Sequence, residues 1–223
     1  MRLASVCLLV VCAALTACTA GSQASLNTIK LALGANTDGA TGEPMSPNFR
    51  YLKVRSYARP SYVVLGYVEP NNTEVWYSAK GEVLKTYGGR LLGTVGLESD
   101  WRSVVASPPA WQEVLAAPGK VWQFERQREV MPGYRTVLEN VKLQEVLLSQ
   151  VQQALGKEIP QINEVRWFAE STANLPQAFY ALRTLGLRGV EEHLVVFSYQ
   201  CLKADLCISF SSWAVGQLQD PRP

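Results

Sequence analysis

The chain has 223 residues, of which 48% are hydrophobic and 18% are charged, enough apolar material for one core and too little charge for a disordered chain. Its formal net charge of +2 offers no basic stripe for a nucleic acid backbone. A single histidine, His193, excludes a metal centre built from several imidazoles. We therefore expect no nucleic acid partner, no metal and no cofactor.

The first 17 residues have the pattern of a secretory signal. Arg2 precedes a nearly unbroken apolar run over residues 3–15, and as a helix this run would cover only ~20 Å of a ~30 Å hydrocarbon core. Such a run fits a signal peptide and not a stable membrane span. It ends in Leu15-Thr16-Ala17-Cys18, which resembles the bacterial lipobox, where the cysteine thiol receives lipid before cleavage. The alternative is an ordinary cleavage site nearby, with Cys18 a bystander.

Lipid on Cys18 would anchor the mature protein, because each buried CH₂ contributes ~0.8 kcal/mol. Thr19 and not Asp follows Cys18, which by the rule for enteric bacteria indicates the outer membrane, with the protein facing the periplasm. Residues 18–47 are small and polar and predict a flexible tether, which leaves room for a short amphipathic helix over residues 26–33. Beyond it we expect one β-rich domain over residues 48–218 and a tail over residues 219–223.

After residue 47 the hydrophobic pattern changes to the period of two that is typical of strands. Lys80-Gly81 and Gly88-Gly89 supply the positive φ that tight hairpins require. The first strands are predicted at residues 49–54, 61–69, 74–79, 82–87 and 90–95. Further strands are predicted at residues 121–130, 134–141, 164–170, 178–182, 193–200 and 208–214. The fold class is therefore mostly β, an antiparallel meander that forms a β-sandwich or a partly open barrel, with a few short helices.

Two short helices are expected inside this domain. Residues 108–117 begin with prolines and end near Pro118-Gly119, which favours a helix. The span 142–155 is ambiguous, but its leucines and valine recur at four-residue spacing, which favours an amphipathic helix.

Cys201 and Cys207 lie in an oxidising compartment if the signal directs export. The spans on either side of them are predicted strands, so a hairpin would bring the two sulfurs together across its mouth. We predict a structural disulfide, worth only ~2 kcal/mol because the closed loop is small. A free thiol pair and a redox-active pair are the alternatives, although redox motifs favour Cys-x-x-Cys spacing.

No catalytic set stands out in the sequence. A serine nucleophile needs a base, usually histidine, and His193 lies in an apolar strand pattern. Neither a Gly-x-Ser-x-Gly elbow nor a phosphate-binding glycine loop occurs. A carboxylate pair for glycoside chemistry leaves no sequence signature, and nothing marks Glu98, Asp100 or Glu170 as one. We expect no catalytic residues, and a protein that is not an enzyme.

Aromatic side chains are numerous for a domain of this size. Trp and Tyr rings bind the CH faces of sugars and offer a polar edge for hydrogen bonds. The candidate polymer or partner surface consists of Trp76, Tyr77, Arg90 and Trp101. Core packing is the alternative for each aromatic ring, and Arg90 is either a buried structural partner or a polymer contact. Other tryptophans stand at Trp111, Trp122, Trp167 and Trp213.

A run of spaced residues carries a family resemblance. It comprises Val63-Val64-Leu65-Gly66-Tyr67, Val75-Trp76-Tyr77-Ser78-Ala79, Gly81-Glu82-Val83-Leu84, Gly89-Arg90-Leu91, Thr94-Val95-Gly96-Leu97 and Asp100-Trp101. Through these residues the span 51–101 resembles the YjbF/GfcB family of bacterial lipoproteins. A second similarity lies in Tyr199-Gln200-Cys201-Leu202 and Leu206-Cys207.

The resemblance implies an accessory role in exopolysaccharide or group 4 capsule secretion, together with an outer-membrane β-barrel and periplasmic export proteins. It brings no catalytic residues with it. We therefore expect an outer-membrane lipoprotein that does no covalent chemistry and binds either a barrel partner or the polysaccharide. The alternatives are a β half-barrel that binds an acyl chain or a lipoprotein, and a carboxylate-based polysaccharide hydrolase.

Overall fold

The computed structural model describes residues 49–56, 59–156, 159–187 and 190–212. The predicted signal peptide, the lipidation site Cys18, the tether with its helix, Trp213 and the tail lie outside these residues. The predictions made for them therefore stay predictions.

The described residues form twelve strands and two helices. The strands are β1 Tyr51–Ser56, β2 Arg59–Val68, β3 Glu74–Ser78, β4 Val83–Tyr87, β5 Arg90–Val95, β6 Asp100–Ala106, β7 Trp122–Met131, β8 Arg135–Val146, β9 Arg166–Ser171, β10 Ala178–Leu187, β11 Val190–Lys203 and β12 Leu206–Ser212. The helices are α1 Trp111–Ala116 and α2 Leu148–Leu155. Neither described helix has the length and apolar character needed to span a membrane. The predicted fold class, mostly β with a few short helices, is confirmed.

All twelve strands belong to one antiparallel sheet in the order β5-β4-β3-β2-β1-β12-β11-β10-β9-β8-β7-β6. Neighbours in the sheet are neighbours in the chain, except that the first strand pairs with the last, with Leu52 opposite Ser212. The two ends of the sheet also meet, because a Cβ on Gly93 of β5 would lie 3.3 Å from the carbonyl oxygen of Trp101 in β6. The sheet therefore curls into a nearly closed barrel. We call the junction of β5 and β6, which has no ladder of its own among the described strands, the seam.

Side-chain hydrogen bonds hold the seam where the chain turns from β5 into β6. The backbone N–H of Trp101 donates to Thr94 Oγ1 at 3.0 Å, and the Thr94 hydroxyl donates to Asp100 Oδ1 at 2.8 Å. The Asp100 carboxylate also accepts from the backbone N–H groups of Gly96 at 2.9 Å and Leu97 at 3.1 Å. The Asp100 carboxylate thus accepts the backbone N–H groups of the turn and links β5 to β6 through the Thr94 hydroxyl.

Strand alternation places large side chains in the interior. Trp76 and Trp101 belong to one core cluster and are 2% and 1% exposed. The Trp76 Nε1–H donates to Thr86 Oγ1 at 2.9 Å, and the Trp101 Nε1–H donates to the carbonyl oxygen of Leu202 at 3.1 Å. Both indoles therefore have their polar edge satisfied inside the core, as buried tryptophan requires.

Helix α1 packs against the barrel end at which β4 ends and β5 begins. The ring of its first residue, Trp111, lies 5.7 Å from the ring of Phe168 and 5.3 Å from that of Tyr180, measured between centroids. Its Nε1–H donates to the carbonyl oxygen of Gly88 at 2.8 Å, in the turn between β4 and β5. The helix predicted over residues 108–117 is therefore present, and one tryptophan fastens it to the sheet.

The prediction over residues 142–155 is wrong in its first half. Residues 142–146 continue β8 and pair with β9, with Lys142 opposite Ser171. Leu143 is fully buried two positions after the buried Val141, so strand alternation outweighs the four-residue spacing there. Helix α2 begins only at Leu148 and buries Val151.

Strands β11 and β12 form the predicted hairpin at the end of the described chain. Cys201 and Cys207 stand opposite each other in the register, and their Sγ atoms are bonded at 2.01 Å. The pair therefore closes the mouth of the hairpin as a disulfide.

Candidate functional site

A cavity of about 310 Å³ lies at the barrel end where α1 packs. The exposed part of its lining includes Asn71, Tyr87 and Val105. The buried part of its lining is mostly polar and consists of Thr73, Arg90, Arg126, Glu170 and Gln200, together with the apolar Leu91. This volume is at the lower end of the range of pockets that hold small molecules.

The cavity occupies the end of the seam away from the turn. Thr94 and Trp101 hold β5 and β6 together beside the turn. Farther along, Leu92 of β5 and Val104 of β6 line the cavity from its two sides. The seam is therefore fastened at one end and provides a recess at the other.

Arg90, the first residue of β5, is a buried cation in this recess. Its Nε–H donates to Glu170 Oε1 at 2.7 Å, and its guanidinium carbon lies 3.8 Å from the centroid of the Trp111 ring. The side chain is 9% exposed, and its buried Nη2 has no hydrogen-bond acceptor among the described residues. Buried donors without a partner are uncommon in folded proteins. Arg90 thus contacts one carboxylate, the Trp111 ring and, at 5.7 Å, the Tyr180 ring, and it retains an unused donor.

The side chain of Gln200 on β11 fixes the backbone on both sides of Arg90. Its Nε2–H donates to the carbonyl oxygen of Gly89 at 2.9 Å, and its Oε1 accepts from the backbone N–H of Leu91 at 2.9 Å. Strand β11, which is distant in the sequence, therefore fixes the backbone at the start of β5 and with it the direction of the Arg90 guanidinium group.

Glu170 on β9 has a second buried partner besides Arg90. The Tyr180 hydroxyl donates to Glu170 Oε2 at 3.0 Å. Burial, with help from the Glu170 charge, raises the pKa of Tyr180 well above its usual value, so the phenol stays protonated and donates. Arg126 Nη1 lies 3.9 Å from the same Oε2, which is too long for a hydrogen bond.

Arg126 and Arg128 of β7 share one carboxylate, Glu139 of β8. Their Nε–H groups donate to Glu139 Oε2 at 2.9 and 2.8 Å, and Arg128 Nη2 donates to Oε1. Burial alone would raise the pKa of Glu139, but the hydrogen bonds and charges of Arg128 and Arg126 outweigh it and lower the pKa below its ordinary value. Both guanidinium carbons also face the Trp101 ring, at 5.3 and 4.6 Å from its centroid. Glu139 is therefore a carboxylate at neutral pH and a poor proton donor.

The buried polar cluster, which we define as Arg90, Arg126, Arg128, Glu139 and Glu170, carries a net charge of +1 from three cations and two anions. The part of it that lines the cavity has the same excess, with two guanidinium groups and one carboxylate. Buried charges are costly unless they are compensated. The excess of one positive charge therefore favours an anion over a neutral ligand in the cavity.

The predicted polymer or partner surface is not formed as one surface. Trp76 and Trp101 lie in the core, so their rings have no face open to a ligand. Tyr77 is half-buried, and its ring lies so close over Gly66 that a Cβ there would be 2.6 Å from Cδ2. Arg90 alone of the four lines the cavity. Trp76 and Trp101 therefore pack in the core, which was the alternative considered for them.

Sequence reasoning missed Arg126, Arg128 and Glu139 and gave Glu170 no role. The available signal was a charge at an inward strand position: in β7 the buried Arg126 and Arg128 share the phase of the buried Val130. Glu139 has the same phase as Val141 on the neighbouring strand. Opposite charges on the apolar phase of two paired strands predict a buried ion pair.

The other groups considered from the sequence have structural partners. Glu98 accepts from Lys203 Nζ at 2.6 Å, and His193 Nδ1 lies 3.1 Å from Thr184 Oγ1. Asp100 is committed to the turn of the seam. Within the described ranges, no three His, Cys, Asp or Glu side chains are grouped so as to hold a metal ion.

Two comparisons with known proteins give matches, one with a family profile and one with a solved structure. The profile of the family described as group 4 capsule polysaccharide lipoprotein gfcB, YjbF, matches residues 48–157. The crystal structure of the hypothetical lipoprotein YmcC from Escherichia coli K12 is similar, with a TM-score of 0.53 and 19% sequence identity over 80% of this chain and 86% of that chain. This likeness establishes the shared fold. No curated protein matches the chain. The matched span contains Arg90, Arg126 and Glu139, whereas Glu170 and Gln200 lie beyond it.

Proposed function

We propose that this chain, which belongs through residues 48–157 to the YjbF/GfcB family of group 4 capsule polysaccharide lipoproteins, is a non-enzymatic accessory of exopolysaccharide or capsule secretion. Its barrel-like domain would bind a segment of the polymer in the cavity at the open end of the seam. The observation that carries this proposal is the cavity itself, with a buried polar wall around Arg90 and an apolar side formed by Leu92, Val104 and Phe124. A mixed lining of this kind is what binding sites for polar organic molecules have.

The state of the buried carboxylates supports binding without covalent chemistry. A glycoside hydrolase needs one carboxylic acid whose pKa is raised so that it can protonate the leaving group. Glu139 has a lowered pKa between two arginines, and Glu170 accepts a hydrogen bond at 2.7 Å from Arg90. Both groups are committed to guanidinium partners, which opposes the role of proton donor.

The amino-terminal pattern supports a proposal for the location of the protein in the cell. We propose that lipid on Cys18 anchors the domain to the periplasmic face of the outer membrane, where it meets an outer-membrane β-barrel and periplasmic export proteins. The lipobox and the family description support this placement.

An acyl-chain carrier is less well supported by the same cavity. Hydrocarbon would have to cover two guanidinium groups and a carboxylate on the buried wall, and covering a charge without a partner costs several kcal/mol. A polar ligand would instead offset the cost of removing water from these charged groups, because it forms hydrogen bonds with them.

The test is a gene deletion with quantified secreted polymer. We expect secretion to fall in the deletion strain and to recover with the wild-type chain, while a Cys18→Ser chain that accumulates to the same level fails to restore it. The matched control is Arg102→Gln, an exposed residue of β6 whose side chain is 59% exposed, and it should restore secretion fully. Unchanged secretion in the deletion strain would refute the proposed role.

A further inference from the structure

We propose that the cavity binds the carboxylate of an acidic sugar residue, with the guanidinium groups of Arg90 and Arg126 as the recognition elements. The inference rests on the proposed function and deepens it, because it assigns the chemical class of the polymer: one that carries uronic acid or similar monoanionic residues.

The charge balance of the cavity is the first argument. Its lining contains two cations, Arg90 and Arg126, against the single anion Glu170. One monoanionic ligand brings this balance to zero, whereas a neutral sugar leaves the excess positive charge of the buried wall without a counter-charge. A dianionic phosphate monoester would overshoot the balance by one charge.

The free donors are the second argument. Arg90 Nη2 is buried without an acceptor among the described residues, and Arg126 Nη1 stands 3.9 Å from Glu170, outside hydrogen-bond distance. The planar guanidinium group presents parallel N–H donors that match the two oxygens of a carboxylate. A carboxylate that enters the recess would supply an acceptor for Arg90 Nη2 and a second one for Arg126 Nη1, whose other nitrogens are engaged by Glu139.

The rigidity of the site is the third argument. The ring of Trp111 lies 3.8 Å from the Arg90 guanidinium carbon, and the Gln200 amide holds the backbone at Gly89 and Leu91. Arg126 is held at Nε by Glu139 at 2.9 Å. Cations fixed before the ligand arrives lose little conformational entropy on binding, which favours selective recognition.

The shape of the cavity fits one sugar unit of a longer chain. Its volume of about 310 Å³ suits a small group and not an extended segment. Phe124 and Val104 offer an apolar side against which the CH face of a sugar ring packs, and Tyr87, 43% exposed, stands at the rim. The neighbouring units of the polymer would continue outside the cavity along this rim.

The experiment compares two ligands that differ at one carbon. The full-length protein, purified in detergent, is titrated with methyl β-D-glucuronide and with methyl β-D-glucoside, and binding is followed by the broadening of ligand NMR signals. We expect the glucuronide to bind at least tenfold more tightly. Equal binding of the two, or no binding of the glucuronide at millimolar concentration, would overturn the inference. Inorganic phosphate is the third ligand, and tighter binding of phosphate than of the glucuronide would assign the cavity to phosphate in place of an acidic sugar.

Three variants locate the binding in the cavity. Glu170→Gln removes the anion next to the ligand and should tighten glucuronide binding about threefold or more, which a purely structural role for Glu170 would not produce. Arg90→Gln should weaken it at least tenfold. Arg102→Gln, on the outside of β6, should leave it unchanged and serves as the control for general attraction by surface charge.

Circular dichroism and thermal unfolding establish that each variant is folded. If Arg90→Gln does not fold, the gain expected for Glu170→Gln decides, and weaker or unchanged binding by that variant would overturn the inference. The outcome is separable from that of the secretion experiment. Lost secretion in the deletion strain together with equal binding of both glycosides refutes the acidic-sugar site alone, whereas unchanged secretion refutes the proposed role whatever the titration gives.

Discussion

The shared carboxylate of the buried polar cluster gives the sharpest prediction of stability. Glu139→Gln keeps the shape of the side chain but removes a charge that is 1% exposed and receives hydrogen bonds from Arg126 and Arg128. The amide retains one acceptor oxygen and turns its NH₂ group toward a guanidinium donor. Loss of one partner of a buried ion pair costs about 3–5 kcal/mol, and because the amide keeps one acceptor we expect the lower end, about 3 kcal/mol.

Urea denaturation of the full-length protein at pH 7 measures this loss. For a typical slope of about 2 kcal/mol per molar urea, the midpoint should fall by about 1.5 M. The control is Glu129→Gln on the same hairpin, where the ion pair with Arg102 is exposed and the cost should stay within about 0.5 kcal/mol. A loss below about 1 kcal/mol for Glu139→Gln would refute the argument that this carboxylate compensates two buried cations.

The same pair of proteins predicts a pH dependence. The pKa of Glu139 lies below its ordinary value of 4.5 in the folded state, so its contribution to stability is complete above that value and is lost as the pH falls through the folded pKa. The difference between wild type and Glu139→Gln should therefore be constant from pH 7 to about pH 5 and shrink at lower pH. A difference that grows on acidification would contradict the sign of the shift.

Two further predictions concern the backbone of the barrel. Gly89→Ala should lower the free energy of unfolding by about 2 kcal/mol or more, because φ there is +75° and the new Cβ would lie 2.7 Å from Val195 Cβ. The control is Gly81→Ala, at φ +87° in open space, which should cost only about 1 kcal/mol. Equal losses for the two variants in urea denaturation would refute the contribution of the clash with Val195. Replacing both Cys201 and Cys207 by serine should cost about 2 kcal/mol in the same assay, and a loss above about 5 kcal/mol would show that the bond does more than close a short loop.

The strands that the sequence predicts well are those with clear alternation and glycine turns. Strands β1 to β5 follow the period of two, and Gly88 and Gly89 have the positive φ that their dipeptide indicates. Strand β6 escaped prediction because only Trp101 of its seven residues is buried, so an edge strand beside the cavity has almost no alternation to detect. The start of α2 was predicted too early because Leu143 fits both the four-residue spacing of a helix and the two-residue alternation of a strand. The pairing of β8 with β9 decides in favour of the strand.

The candidate site depends on closure of the sheet, which local patterns do not contain. Arg90 and Glu170 are 80 positions apart, and Gln200 reaches the backbone of Leu91 across 109 positions. Composition indicated that the domain is rich in tryptophan but not which rings face inward, because a shift of one residue in register reverses the two faces of a strand. Trp76 and Trp101 therefore became core residues, while the cavity took its charges from three separate strands: Arg90 of β5, Arg126 of β7 and Glu170 of β9.

The pairing of β1 with β12 has a consequence for biogenesis. Leu52 finds its ladder partner in Ser212, about 160 positions later, so a polypeptide that emerges amino-terminus first cannot complete its initial strand until almost its whole length has been delivered. The half-made sheet meanwhile exposes hydrogen-bonding edges that invite aggregation. The sheet can therefore close only after almost the whole chain is available, and the edges of its first and last strands stay unpaired until then.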